Sequence, residues 1–243
     1  MTPGRRIGYN SPMTPAAESP FLAPVLARYA DDGPRLIYAD FLAESDAPAD
    51  RGRAELIAVQ VGLARLPDDH PRRQELLDRQ ADLLQRFLPD WSAPLRGLAV
   101  GFEFRRGLLD AVSVDAPTFL ARGDELFRCA PVRRVRLLDA TRHVDKLAFC
   151  PALGHVRELD LCGNDLGNGG VNVLLRSPYL GRVEDLDLSF NGLCDGGVRL
   201  IARTPALPRL RSLALPDSGQ ASADGLAALA ASPRRPGLKA LAV

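Results

Sequence analysis

The sequence contains few of the side chains that most often carry chemistry. Its 243 residues include three histidines and four cysteines, with no HExxH and no CxxC motif. No histidine has metal-ligand spacing to a cysteine, so we expect no metal site. A phosphate-binding glycine loop after a strand and a GxSxG nucleophile motif are missing as well. These absences predict a protein that is not an enzyme and uses no cofactor.

An excess of one charge and long apolar runs are also missing. The 31 basic and 30 acidic residues give a formal net charge of +1, so no strong electrostatic partner is implied. No stretch of about 18 consecutive apolar residues occurs, and the N-terminus lacks the apolar segment of a signal peptide. Because the cysteines form no disulfide framework, they are typical of a reducing compartment. We therefore expect a cytoplasmic protein without a membrane segment.

A sequence repeat occupies most of the C-terminal part of the chain. Its copies begin at Val156, Val183 and Leu210, and a fourth begins at Leu238 after nearly the same interval. A fixed period in the range of about 20 to 50 residues indicates a stacked solenoid. The LxxLxL spacing of apolar residues predicts six strands, the first two more divergent. The six sets are Leu109, Val112 and Val114; Val132, Val135 and Leu137; Val156, Leu159 and Leu161; Val183, Leu186 and Leu188; Leu210, Leu213 and Leu215; and Leu238, Leu241 and Val243.

Two asparagines recur at one position of the repeat. Asn164 and Asn191 follow Leu159 and Leu186 by five residues, and Ser218 takes this place in the third copy. An asparagine can bond backbone groups of neighbouring turns through both its carbonyl and its NH₂ group. We therefore expect a structural asparagine ladder that is weakened or broken at Ser218.

The repeat resembles the leucine-rich repeat family and is similar in length to the ribonuclease-inhibitor type. The match is most specific over residues 156–229. The resemblance implies an α/β solenoid over residues 95–243, with a parallel β-sheet on its concave face, helices outside and an incomplete last repeat. Such proteins bind partners on the concave face.

Residues 19–94 show helical periodicity and predict a small helical domain. The stretches PRLIYADFLAES from Pro34 and RGRAELIAVQ from Arg51 resemble the bacterial repeat-companion domain, which accompanies leucine-rich repeats. Phe41 stands where that family usually has tryptophan, so we expect an aromatic residue in the core there. The resemblance implies no activity, and we expect this domain to cap the solenoid. Residues 1–18 are rich in Pro, Gly, Ser and Thr and are expected to form a disordered leader.

Charged residues flank the inward-facing leucines of the predicted strands. Two hypotheses fit them: ion pairs between the arginines and the first acidic pair, leaving a solvated face, or an acidic stripe that binds a basic partner. On either hypothesis we expect a non-enzymatic protein-protein recognition or scaffold module. The candidate partner-binding residues are Arg134, Arg136, Glu158, Asp160, Asp185, Asp187 and Ser212.

Other interpretations stay open. Ran GTPase-activating proteins share this repeat type, so regulation of a GTPase is an alternative. Nucleic-acid binding through the arginine cluster between Arg133 and Arg142 is less expected, because the acidic stripe adjoins it and interleaved aromatic residues are missing. Self-association is a further alternative, because the incomplete repeat at Leu238 leaves its apolar edge without a polar terminal unit.

Overall fold

The computed structural model describes residues 20–215 and 222–242. The predicted leader, Ser218 and Val243 lie outside these ranges. The chain divides into two compact units: one reaches Leu95 and includes Arg128–Ala130, and the other comprises Arg96–Phe127 and Pro131–Val243. The domain boundaries proposed from the sequence stay predictions.

The described part of the first unit contains four α-helices. Two of them have proline in the first turn, where its fixed φ and missing N–H are well suited. Trp91 donates its indole N–H to the carbonyl of Ala49 at 2.9 Å. Phe41, which we expected in the core, is 42% exposed and stacks on Phe21 with ring centroids 4.2 Å apart, so that prediction was wrong. The helices are α1 (Leu22–Ala27), α2 (Gly33–Ala43), α3 (Pro48–Arg65) and α4 (Arg73–Trp91).

The second unit contains a seven-stranded sheet whose strands are neighbours in chain order. The first two strands are antiparallel and all later pairs are parallel. The described fold is therefore α/β with a mostly parallel sheet. The strands are β1 (Gly101–Arg105), β2 (Leu108–Asp115), β3 (Arg134–Leu138), β4 (Glu158–Asp160), β5 (Asp185–Asp187), β6 (Ser212–Ala214) and β7 (Ala240–Ala242).

Helices connect the parallel strands, as parallel pairing requires a crossover. Proline stops recur beyond α8 and α9, at Pro205 and Pro233. Within residues 20–215 and 222–242, no helix is both long and apolar enough to cross a membrane. The connecting helices are α5 (Ala116–Cys129), α6 (Val144–Ala148), α7 (Gly167–Leu174), α8 (Asp195–Arg203) and α9 (Ala223–Ala230).

The parallel strands predicted from the LxxLxL spacing are present as β2 to β7, but β1 is an additional strand. It pairs with β2 through a hairpin in which Arg106 and Gly107 have φ of 50° and 79°. Positive φ at both loop residues gives the twist that a two-residue hairpin needs. A register shift beside Glu103 makes Asp110 the extra residue of a bulge.

One face of the sheet is buried by the central residues of the strands. Val135, Leu159, Leu186 and Leu213 lie in register on β3 to β6, and none is more than 2% exposed. Since side chains alternate across a strand, the residues before and after each of them lie on the other face.

Arg235, which follows α9, binds the C-terminal end of α8. Its guanidinium is buried and donates to the carbonyls of Ile201 at 2.8 Å, Thr204 at 2.6 Å and Leu207 at 2.7 Å. The last carbonyls of a helix have no intrahelical partner, and the five donors of arginine can satisfy several of them. This contact joins two successive repeats within the second unit.

Candidate functional site

The strand register brings the seven candidate residues into two rows on one sheet face. Arg134, Glu158, Asp185 and Ser212 are directly paired from β3 to β6. The second row runs through Arg136, Asp160, Asp187 and Ala214. We call the face formed by these eight residues the charged face.

Two ion pairs neutralise the acidic residues of β4. Arg134 donates to the carboxylate of Asp160 at 2.7 Å, diagonally across the two rows. Glu158 is held by Arg105, whose guanidinium donates to both carboxylate oxygens at 3.0 and 3.3 Å and also contacts the buried carboxylate of Asp110 at 3.2 Å. The repeat pattern gave no signal for Arg105, because its position depends on the hairpin that adds β1.

Asp160 is bound on both of its oxygens. Besides the contact with Arg134, it accepts the backbone N–H of Cys162 at 3.0 Å, and it is only 5% exposed. Of the predicted acidic stripe, Asp160 is thus the residue least accessible to a partner.

The acidic residues of β5 have no such neutralisation. Neither Asp185 nor Asp187 forms an ion pair within the described residues; Asp187 accepts the Ser189 N–H at 2.9 Å. Burial raises the pKa of Asp185, and so does the carboxylate of Glu158; a hydrogen bond from Ser212 and the charge of Arg105 oppose this. Two partly buried negative charges therefore lie side by side on β5.

Arg136 on β3 is also a charged residue without an ion pair among the described residues. Its side chain is exposed. The expected pairing of both arginines with β4 thus occurs for Arg134 alone. The charged face carries an unneutralised cation on one side of β4 and two unneutralised anions on the other.

A hollow of about 200 Å³ lies over the acidic side of this face. The small side chains of Ser212 and Ala214 leave it open toward β6. Its polar lining consists of Arg134, Glu158, Asp160, Asp185, Asp187 and Ser212. A smaller hollow of about 50 Å³ adjoins Arg134 and Arg136.

An exposed aromatic residue follows β5. Phe190 has a φ of 55° and is 55% exposed. The corresponding residue of the preceding repeat is Gly163, which has a φ of 72°. A bulky side chain in the left-handed region is unfavourable, and such outliers often occur at functional sites. Phe190 was not among the predicted site residues, although a phenylalanine in place of the repeat glycine was a visible signal.

Asn164 and Asn191 lie beneath the turns that follow β4 and β5. Asn164 accepts the Ala140 N–H at 2.6 Å and donates to the carbonyls of Leu137 and Leu161, both at 2.9 Å. Asn191 accepts the Leu166 N–H at 3.1 Å and donates to Leu161 and Ser189 at 2.9 and 3.0 Å. Each amide satisfies backbone groups of its own turn and of the preceding one.

Two further side-chain contacts join the starts of successive helices. Asn168 accepts the Cys194 N–H at 3.2 Å and donates to its Sγ at 2.7 Å. At the same position of the next repeat, Asp195 accepts both the N–H and the hydroxyl of Ser222, at 2.6 and 2.7 Å. The Cys194 sulfur accepts from the amide of Asn168, and the Ser222 hydroxyl donates to the carboxylate of Asp195.

The cysteines differ in acidity. The Asn168 hydrogen bond lowers the pKa of Cys194, helped by the Gly196 N–H. Burial raises the pKa of Cys162, and the carboxylates of Asp187 and Asp160 add to this. No group of three His, Cys, Asp or Glu side chains in the described ranges could hold a metal ion.

No protein-family model matches this chain, and no curated protein was found to be similar to it. The charged face is therefore the basis for a functional proposal.

Proposed function

We propose that the protein is a non-enzymatic recognition module whose charged face binds a protein partner with a basic surface. The observation that carries the proposal is the pair Asp185 and Asp187: both line the hollow and neither forms an ion pair among the described residues, whereas the Arg134 guanidinium in the same lining is bound to Asp160. Neighbouring like charges are unfavourable on a sheet, and a cation from a partner relieves that repulsion.

The chemistry of the hollow favours a guanidinium or ammonium group. Asp185 and Asp187 lie two residues apart on one strand, about 6.6 Å at a rise of about 3.3 Å per residue. This spacing suits two basic side chains at alternate positions of an extended segment. Phe190 offers an aromatic surface three residues beyond Asp187, suitable for a cation–π contact.

The repeat supports a more specific architecture for this module. Its regular period and the in-register strands suit a curved leucine-rich repeat solenoid of the ribonuclease-inhibitor type. The helical segment at residues 19–94 is part of the proposal as a repeat-companion-like cap. Four free cysteines support a reducing, cytoplasmic location.

The proposal is tested by measuring the affinity for a fluorescent nona-arginine peptide at low salt. We expect the double variant Asp185→Asn, Asp187→Asn to bind about tenfold more weakly, since tenfold is about 1.4 kcal/mol and two partly buried charge contacts are lost. Nona-glutamate should not bind. Asp160 is left unchanged because its role within the fold would obscure the result.

A matched control is Asp145→Asn, Asp224→Asn, which changes the net charge equally at two exposed positions away from the face. Its affinity should stay within about twofold of the wild type. Equal losses in both double variants would show that binding follows net charge alone, and the proposal would fail.

A further inference from the structure

The charge pattern of the sheet reverses sign across β4. Arg134 and Arg136 lie on β3, and Asp185 and Asp187 occupy the same two rows on β5. Each flanking strand is about 4.8 Å from β4. A rotation of 180° about an axis parallel to β4 therefore exchanges the arginines with the aspartates, row for row.

From this self-complementarity we infer that the charged face binds a second copy of this chain. The inference rests on the proposed function, because it names the partner of the same face. In a face-to-face pair with the two-fold axis over β4, Arg136 lies opposite Asp187 of the other copy, and Arg134 lies opposite Asp185. Each contact occurs twice, as in any isologous dimer.

The outer strands carry small side chains at the positions that this arrangement brings together. The same rotation places β2 over β6 of the other copy. Ala111 then faces Ser212, and Ser113 faces Ala214, so small side chains meet small side chains. One strand further out, β1 lies over the alanines of β7.

The axis itself brings the acidic residues of β4 from both copies together. Their repulsion is reduced because each carboxylate already has an arginine of its own chain: Arg105 on Glu158 and Arg134 on Asp160. Arg136 has no such role, so its pairing with Asp187 is the contact that an association gains.

The size of the face sets the expected strength. Seven strands at about 4.8 Å span about 29 Å, and three residues along each strand add about 10 Å in the other direction. This area is well below the roughly 800 Å² per partner of a standard interface. We therefore expect a transient dimer that weakens with salt, since exposed ion pairs are screened.

Sedimentation equilibrium of the full chain up to about 1 mM, at about 50 and 500 mM salt, tests the inference. The wild type should dimerise at low salt. Arg136→Asp and Asp187→Arg each place like charges opposite one another, and each should weaken dimerisation at least tenfold. An equimolar mixture of these two variants restores opposite charges at both contacts and should dimerise again.

Arg142→Asp, an exposed charge reversal away from the face, should leave dimerisation unchanged. If either reversal variant fails to fold by circular dichroism, Arg136→Gln and Asp187→Asn replace them. Each alone should weaken dimerisation, and their mixture should recover part of it, because the mixed pair keeps one of the two Arg136–Asp187 contacts. A wild type that stays monomeric at low salt overturns the inference. So does a dimer that persists in both single variants, because it must use another surface.

The two proposals fail separately. Peptide binding by a strictly monomeric wild type would leave the proposed function standing and remove the second copy as its partner.

Discussion

Arg134 reaches past Glu158, the residue directly opposite it on β4, and donates to the carboxylate of Asp160 at 2.7 Å. This diagonal contact separates two kinds of carboxylate on one face. Asp160 is bound within the fold, whereas Asp185 and Asp187 form no ion pair within the described residues. The four acidic residues that look equivalent in the sequence therefore have different roles.

Replacing Asp160 should destabilise the protein more than replacing Asp187. Asp160→Asn removes the charge partner of Arg134 at a position that is 5% exposed, and we expect a loss of about 1–3 kcal/mol in the free energy of unfolding. Asp187→Asn should cost less than about 1 kcal/mol. Urea denaturation of both variants measures the difference, and equal losses would contradict the assigned roles.

Stability should depend on the ionisation of Asp185. Its pKa is raised in the folded state by burial and by Glu158, so the folded chain holds this proton more tightly than the unfolded chain. Ionised Asp185 therefore lowers stability as pH rises from the ordinary aspartate pKa through the raised one. At pH 7, Asp185→Asn should be more stable by about 0.2–1 kcal/mol, the usual cost of opposed like charges.

This gain should disappear at about pH 3, where Asp185 is protonated in both states. Thermal melts at the two pH values provide the measurement, with Asp145→Asn as the control. A gain that is the same at both pH values would show that the charge of Asp185 is not its cause.

Removing the Asn164 amide should be costly. Asn164→Ala leaves the Ala140 N–H and the Leu137 carbonyl without their partner in a buried site, each worth about 1–3 kcal/mol. We expect a loss of at least about 2 kcal/mol by urea denaturation. Asn168→Ala, at a partly exposed position, should cost less, and the reverse order would contradict the burial argument.

Cys194 should react faster than Cys162 or Cys150 with iodoacetamide near pH 7. Asn168 lowers the pKa of Cys194, whereas burial raises the pKa of the other two thiols. A lower pKa means a larger thiolate fraction, which is the reactive form. Mass spectrometry of the alkylated peptides gives the rates, and Asn168→Ala should slow Cys194 several-fold. In urea the three rates should converge; if they already coincide in the folded protein, the local contacts do not control acidity.

Strand positions could be predicted from the sequence more reliably than side-chain contacts between strands. Apolar spacing predicted β2 to β7 because inward residues alternate with outward ones. It did not predict β1, since the hairpin loop at Arg106-Gly107 lacks the usual Asn-Gly signal. Arg105 and its ion pair with Glu158 were missed for the same reason.

The burial and pairing of the charged residues could not be predicted from the sequence either. The rows of the charged face follow from register alone, but the burial of Asp160 depends on the diagonal reach of the Arg134 side chain. Arg235 lies far along the chain from the Ile201 carbonyl that it binds, and no repeat position indicates that contact. Side-chain geometry between units decides such features.

The carbonyl of Leu161 accepts hydrogen bonds from both Asn164 and Asn191, which lie one repeat apart in the chain. A carbonyl oxygen has two lone pairs, so these two amides use its full capacity. Opening either turn would remove one of the two amide hydrogen bonds to this oxygen and would weaken the adjoining turn. We therefore expect the two turns to open as one cooperative unit of local unfolding, with amide protons that exchange with solvent together rather than in sequence.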